Sequence, residues 1–321
     1  MALRWAFRFN AASMPPRKPH RPSPRNRPYP PRRQDKPAAP TPSGPKTDWN
    51  TVADWYDELV GDAGSEYHRE VVLPGTIRLL GLNAGDRAVD VACGQGVLCR
   101  MLAARGVQVT GVDAAHDLIA AARQRQAEAP PAGGGVAGAE YVVGDARELA
   151  FLPAARFNAA ACVLAAQNVH PINPVFAGVA RALVPWGRFV LVMMHPCFRG
   201  PKETSWGWSP DGVQFRRVDR YLLPRKTPIV THPGRDAGTY TWTFHKPIEQ
   251  YVRGLRGAGL LVDAIEEWPS HKISQPGPRA AAENAARKEI PLFMAMRAVK
   301  IPGAPGAEAA SEKHQTTSQP E

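Results

Sequence analysis

Cysteine is scarce in this 321-residue chain. The four residues Cys93, Cys99, Cys162 and Cys197 show no CxxC spacing and lie among apolar neighbours. This argues against a disulfide framework and against a thiolate metal site, so no metal is expected. Nor does any window supply the ~18 consecutive apolar residues of a membrane span. Acidic residues are nearly absent from 1–47, where Asp35 stands alone against 11 Lys and Arg. Net charge, in turn, is nearly absent from the rest, with 29 basic and 28 acidic residues. The pI near 9.8 therefore belongs to the first 47 residues, and the body has no global attraction for nucleic acid. These absences together predict a soluble, reduced, cytoplasmic protein.

What residues 1–47 do hold is proline, 12 of the 33 in the chain, in runs such as RPSPRNRPYPPRR. Proline removes backbone donors and the arginines repel one another, so no packed core is expected there. The segment reads as a disordered, polyproline-like extension, with a basic tether for RNA or an acidic surface as the alternative. Met14 is an alternative start, and proline density argues against the amphipathic helix of a transit peptide. Residues 301–321 are polar and expected to be disordered. The body between them runs from 48 to 300.

From Arg87 to Met194 short apolar runs alternate with helical periodicity. Strands are predicted at Ala88–Ala92, Val107–Val112, Tyr141–Val143, Ala159–Leu164 and Phe189–Met194. Helices are predicted after Gly96, over a face containing Ile119, Ala122 and Ala127, and over Pro174–Leu183. A β-α-β-α order implies a Rossmann-like, doubly wound α/β fold: a mostly parallel sheet with helices on both faces. Ligands in such sheets bind beyond the carboxyl ends of the strands, near the topological switch point.

At the first such end stands Val89-Asp90-Val91-Ala92-Cys93-Gly94-Gln95-Gly96. Gly94 and Gly96 let backbone approach a ligand where a side chain would collide, and the helix that follows offers unpaired N–H groups to an anionic group such as a carboxylate. Asp113 ends the second strand 23 residues beyond Asp90, placed to accept hydrogen bonds from ribose hydroxyls. Asp145 ends the third, in Val143-Gly144-Asp145-Ala146, positioned for an adenine amino group. Any one of these aspartates also reads as a helix cap or turn residue; three after successive strands favour a nucleoside site. A dinucleotide fingerprint wants a third glycine where Cys99 stands, and Asp90 is unhelpful beside a pyrophosphate. S-adenosylmethionine has an ammonium, a sulfonium and no phosphate, and it suits these residues better.

The series DVACGQG, GVD and GDA resembles the motifs of class I S-adenosylmethionine-dependent methyltransferases. The resemblance covers most of residues 50–300. It implies cofactor contacts from Gly94, Gly96, Asp113 and Asp145, a backbone contact from Ala146, and seven strands of which the last in the chain is antiparallel. Ala92 stands where the family usually has a glycine. Asn50–Arg69 resembles the entry helix and lid of such enzymes, with Tyr56, Tyr67 and His68 closing over the cofactor or packing on the sheet. The segments His195–Arg199 (HPCFR) and Ser270–Glu283 resemble those of a bacterial methyltransferase group whose acceptor is unassigned.

A helix is predicted from Phe244–Tyr251 to Gly257-Ala258-Gly259, with the last strands at Leu260–Ala264 and Leu292–Arg297. Two insertions, 195–246 and 269–288, are expected to form the acceptor pocket, with Trp206, Trp208, Tyr221 and Trp242 excluding water. His195 is the candidate general base at the end of the fifth strand; its other reading is a residue bonded within its loop. His170, His245 and His271 are weaker candidates. Cys197 follows the fifth strand, as the attacking thiol does in RNA cytosine-C5 enzymes. Its flanks do not match theirs, and a structural thiol is the favoured reading. Gln167-Asn168-Val169-His170 does not match the Asn/Asp-Pro-Pro-aromatic element of amino-methylating enzymes. Three functions stay open: methyl transfer to a small molecule, RNA modification aided by residues 1–47, and cofactor binding without catalysis. Oligomeric state is not legible.

Overall fold

Strand β1 (Arg87–Val91) forms where Ala88, Val89 and Val91 are apolar on both sides of the chain, as a central strand covered on two faces requires. It leads through the glycine turn into α3 (Val97–Ala103), then β2 (Gln108–Asp113), α4 (His116–Glu128) and β3 (Glu140–Val143). Next come β4 (Phe157–Val163), α5 (Asn173–Ala182) and β5 (Leu183–Met194). The computed structural model describes residues 49–128, 138–232 and 236–303. The expectations for 1–47 and from 304 onward lie outside them.

Seven strands form one sheet in the order β10-β11-β5-β4-β1-β2-β3, where β10 is Leu260–Trp268 and β11 is Phe293–Lys300. All run parallel except β11, which is antiparallel to both β5 and β10. The expected doubly wound sheet with one antiparallel strand is therefore the fold. β1 pairs with β2 on one side and β4 on the other, so chain order reverses there. The turn after β1 opens directly at this switch point.

Alternation along β5 divides the core. Phe189, Leu191 and Met193 pack with Phe176 of α5 and with Tyr251 and Leu255 of α6 (Ile248–Gly257). Val190 and Val192 face the other side, against Leu73 and Leu80 of α2 (Leu73–Leu80) and Leu98 and Leu102 of α3. On α4, Ile119 and Ala122 are buried as expected, but Ala127 is exposed because Leu118 carries the buried stripe instead. Before the sheet, a 3-10 turn (Trp49–Val52) and α1 (Ala53–Val60) precede a helical segment through His68–Val72 into α2.

Segment 195–246 folds as two antiparallel hairpins, β6 (Thr204–Trp208) with β7 (Gln214–Val218), and β8 (Arg225–His232) with β9 (Asp236–His245). Segment 269–288 carries most of α7 (Ala280–Glu289). Among the described residues no helix is long and apolar enough to cross a membrane.

Candidate functional site

The turn after β1 is built from left-handed backbone. Ala92, Gly94 and Gly96 have φ of 59°, 55° and 78°. Glycine adopts this region freely, whereas alanine there costs on the order of 1 kcal/mol, so Ala92 carries local strain where the family usually has glycine. The turn is then pinned: the Cys93 N–H donates to the Val112 carbonyl at 3.0 Å, and the Gly94 N–H to Asp113 Oδ2 at 2.8 Å. Asp113 Oδ1 accepts the Ala115 N–H at 2.9 Å. Burial pushes the Asp113 carboxyl up, and these N–H donors pull against it.

Asp90 is buried beneath the turn and accepts a hydrogen bond from the Cys99 thiol at 3.4 Å. Burial raises its carboxyl to about 7. Asp145 lies on the same edge as Asp113, since Asp113 pairs with Val143 and the Gly144 N–H donates to the Asp113 carbonyl. Asp145 already holds Arg147, through its backbone N–H at 2.8 Å and its guanidinium, which lowers its pKa. An adenine amino group would share those oxygens. Ala146 beside it is buried.

A lid covers the turn. The Tyr56 ring lies over Gly94, and burial beside Asp113 and Asp90 keeps its phenol protonated. Tyr56 and His68 line a cleft with Asp90, Ala92, Gln95 and Val163, of about 30 Å³. That is room for little more than one water, with the Tyr56 ring of α1 occupying the space over the turn. His68 Nδ1 bonds Ser65 Oγ at 2.7 Å, and burial lowers its pKa. Tyr67 points elsewhere, edge-on to Phe293 and His271.

The residues that fasten the lid escape sequence reasoning. Arg125 on α4 grips Asp57 with both terminal nitrogens, at 2.9 and 2.8 Å, and reaches Asp62 at 2.7 Å. Gln95 Nε2 donates to the Gly61 carbonyl at 2.6 Å, and Arg100 to those of Asp62 and Gln95. Apart from Arg100–Gln95, these partners lie 34 to 68 residues apart in the chain, so no local pattern marks them.

On the acceptor side, His195 is 1 % exposed. Its Nε2 meets Glu267 Oε1 at 2.6 Å, and its Nδ1 accepts the Cys197 and Phe198 N–H groups at 3.2 and 3.4 Å. Two N–H donors at Nδ1 place the ring proton on Nε2, which donates to Glu267. Both nitrogens are engaged, so the geometry fits the loop-holding reading of His195 and leaves no lone pair for a base. His170 stacks on Phe244, His245 bonds the Tyr221 carbonyl, and His271 bonds Glu66. The Cys197 thiol is half-buried and its pKa pushed up by burial and Glu267, opposite to what an attacking thiolate needs. The tryptophans expected to make a dry wall each carry a cation instead: Arg199 and Arg216 over Trp206, Arg279 over Trp208, Lys226 over Trp242.

The sequence-predicted contacts Asp90, Ala92, Gly94, Gly96, Asp113, Asp145, Tyr56 and His68 thus meet at one strand edge, where a carboxylate, a glycine turn and an aromatic lid suit a nucleoside. A family described as "Methyltransferase domain" matches residues 89–191. The chain is 32% identical over 197 residues to a "Ubiquinone biosynthesis O-methyltransferase" of Bordetella avium, covering 61% of this chain and 71% of that protein. It is 29% identical over 182 residues to the protein of that name from Xanthomonas axonopodis pv. citri, covering 57% of this chain and 65% of that relative, just under two thirds of its length. A solved S-adenosylmethionine-dependent methyltransferase from Mesorhizobium loti superposes with TM-score 0.55 at 26% identity, over 70% of this chain and 96% of that one. A Listeria monocytogenes structure shares the fold at TM-score 0.53 and 20% identity, over 73% of this chain and 97% of its own. This chain belongs to the class I S-adenosylmethionine-dependent methyltransferase family.

Proposed function

We propose that this protein transfers the methyl group of S-adenosylmethionine to an oxygen of a small-molecule acceptor by direct displacement. The observation that carries the reading is the bond from the Gly94 amide to Asp113 Oδ2, which holds a bare turn and a carboxylate side by side at the switch point. The oxygen acceptor is inferred from relatives named as O-methyltransferases. S-adenosylmethionine supplies a methyl group on a positively charged sulfur. Asp113 would accept the ribose hydroxyl hydrogens, Asp90 would lie on the ammonium side, and Asp145 would take the adenine amino group. Tyr56 and His68 exclude water, and the rate comes chiefly from holding the acceptor in line in a dry site.

An acceptor hydroxyl must lose its proton. With His195 engaged, Lys246 is the side chain best arranged to take it. It is 6 % exposed, and burial lowers its pKa to about 8. Its Nζ donates to the Val169 and Phe244 carbonyls at 3.1 and 3.4 Å. A neutral amine has two hydrogens and one lone pair, so these carbonyls use the hydrogens and leave the lone pair as acceptor.

The four cysteines are free, which supports a reducing, cytoplasmic setting. The RNA-modifying alternative rests on residues 1–47. Incubation with an isotopically labelled methyl donor and a metabolite extract tests the reading. Label is expected in a small molecule; label only in RNA, or cofactor binding with no transfer at all, contradicts it.

A further inference from the structure

Charge is unevenly shared within the body. Residues 195–246 hold nine Lys and Arg against four Asp and Glu, whereas the remainder of 48–321 holds 20 against 24. Positive charge therefore collects on the insertion that follows β5, on the acceptor side of the sheet.

Two of these cations share one ring. The guanidinium carbons of Arg199 and Arg216 lie 5.2 and 5.1 Å from the Trp206 centroid. Arg216 projects from β7 directly opposite Trp206 on β6. Arg199 Nε and Nη2 reach the Pro291 and Ile290 carbonyls at 3.3 and 3.4 Å, long for good hydrogen bonds. Arg216 is better held, by the Phe198 carbonyl at 2.8 Å and Thr204 Oγ1 at 2.6 Å. Among the described residues, Nη1 of each has no hydrogen-bond partner and neither arginine has a carboxylate within ion-pair distance.

Two half-buried like charges without a counter-ion are unfavourable. Burial and the nearby Arg216 pull the Arg199 guanidinium down to about 10, and burial alone lowers Arg216. The arrangement becomes favourable when an anion lies against both forks, since guanidinium pairs bidentately with carboxylate or phosphate. The position is also right. Arg199 lies five residues beyond Met194, the residue that ends β5. Phe293, against which Tyr67 packs, pairs with Met194 at the carboxyl end of β5. Arg279, from the second insertion, lies over Trp208 two residues beyond Trp206 on β6.

We propose that Arg199 and Arg216, held over Trp206, bind an oxyanion of the methyl acceptor, a carboxylate or a phosphate. Naming this ligand the acceptor rests on the methyltransferase reading above; the oxyanion site itself does not.

The test is calorimetric titration of the full chain, loaded with S-adenosylhomocysteine at low salt, with sodium benzoate and separately with inorganic phosphate. Saturable binding of at least one probe is expected, and whichever binds more tightly identifies the group. Arg216→Gln and Arg199→Gln should each weaken it at least tenfold, and Arg216→Lys by less, with S-adenosylhomocysteine affinity held within twofold. Because Arg199 also supports the chain before β11, Arg216→Lys decides if Arg199→Gln fails to fold. No saturable binding of either probe, or undiminished binding in Arg216→Gln, overturns the site. The labelled-methyl assay separates the two ideas. Uncharged acceptors methylated equally well by Arg216→Gln would end the inference and leave the transferase reading intact. Probe binding lost in Arg216→Gln with no transfer to any acceptor would do the reverse.

Discussion

A Cβ placed on Gly94 would sit 3.2 Å from Tyr56 Cε1. The aromatic ring therefore rests on the turn that a nucleoside must approach, and the cleft is shut by the protein's own lid. What shuts it is Arg125, which binds Asp57 on α1 and Asp62 just after it.

Arg125→Gln should loosen this latch. Asp57 and Arg125 are mostly sheltered, so their ion pair contributes about 1 kcal/mol, roughly a fivefold change in opening. Stopped-flow binding of S-adenosylhomocysteine should show association and dissociation both quickening by that order. Unchanged rates would mean that α1 does not gate entry.

Gly96→Ala should destabilise the fold. Its Cβ would land 2.5 Å from the Tyr141 hydroxyl oxygen at a φ of +78°. Overpacking and a left-handed alanine together cost about 2–4 kcal/mol. Thermal unfolding should show a drop of several degrees, larger than for Gly94→Ala, whose Cβ contact is looser.

Asp90 should make stability depend on pH. Its carboxyl titrates at about 7 in the folded chain against 3.8 as a free side chain, through burial. Across that window the folded state holds a proton that the unfolded state has lost, so stability falls as pH rises from 3.8 to about 7. In Asp90→Asn this component vanishes. Denaturant unfolding at pH 5 and pH 8 checks it; the same pH dependence in the variant would refute the assignment.

Much of this was legible in the sequence, and what was not has a physical cause. The strands ending near Asp90 and Asp113 stand out because inner parallel strands are covered on both faces and read as apolar runs, and β3 before Asp145 is a short edge strand, Glu140–Val143, legible from its apolar Tyr141–Val143. β10 runs past the predicted Ala264 to Trp268 because it is an edge strand whose Asp263 and Glu267 fall at exposed positions and whose Glu266 interrupts the other face, breaking the apolar signal. β5 begins at Leu183, before the predicted Phe189, because Pro185 and Gly187 read as a loop although the segment pairs with β4 across a bulge. Trp206 and Trp242 looked like apolar wall because the cations that cover them come from other strands or register positions. The Glu267 carboxylate that His195 meets lies 72 residues further on, so the sequence leaves both readings of His195 open.

His195 and Lys246 should separate in a pH–rate profile. Lys246 titrates near 8 and acts as its neutral amine, so activity should rise with pH through that value. Lys246→Met should abolish the rise and most of the rate. His195→Asn should keep the rise while losing about 1–3 kcal/mol of stability, because Glu267 and the Cys197 amide lose their partner. A rise that disappears with His195 and survives in Lys246→Met would reverse the two roles.

The most direct measurement is calorimetric titration of S-adenosylmethionine into the native chain and into Asp113→Ala. The account predicts that the variant binds more weakly by about 1–3 kcal/mol, the worth of lost charge-assisted hydrogen bonds. Equal affinity in the two proteins would mean that the nucleoside does not lie against Asp113, and the proposed site would be wrong.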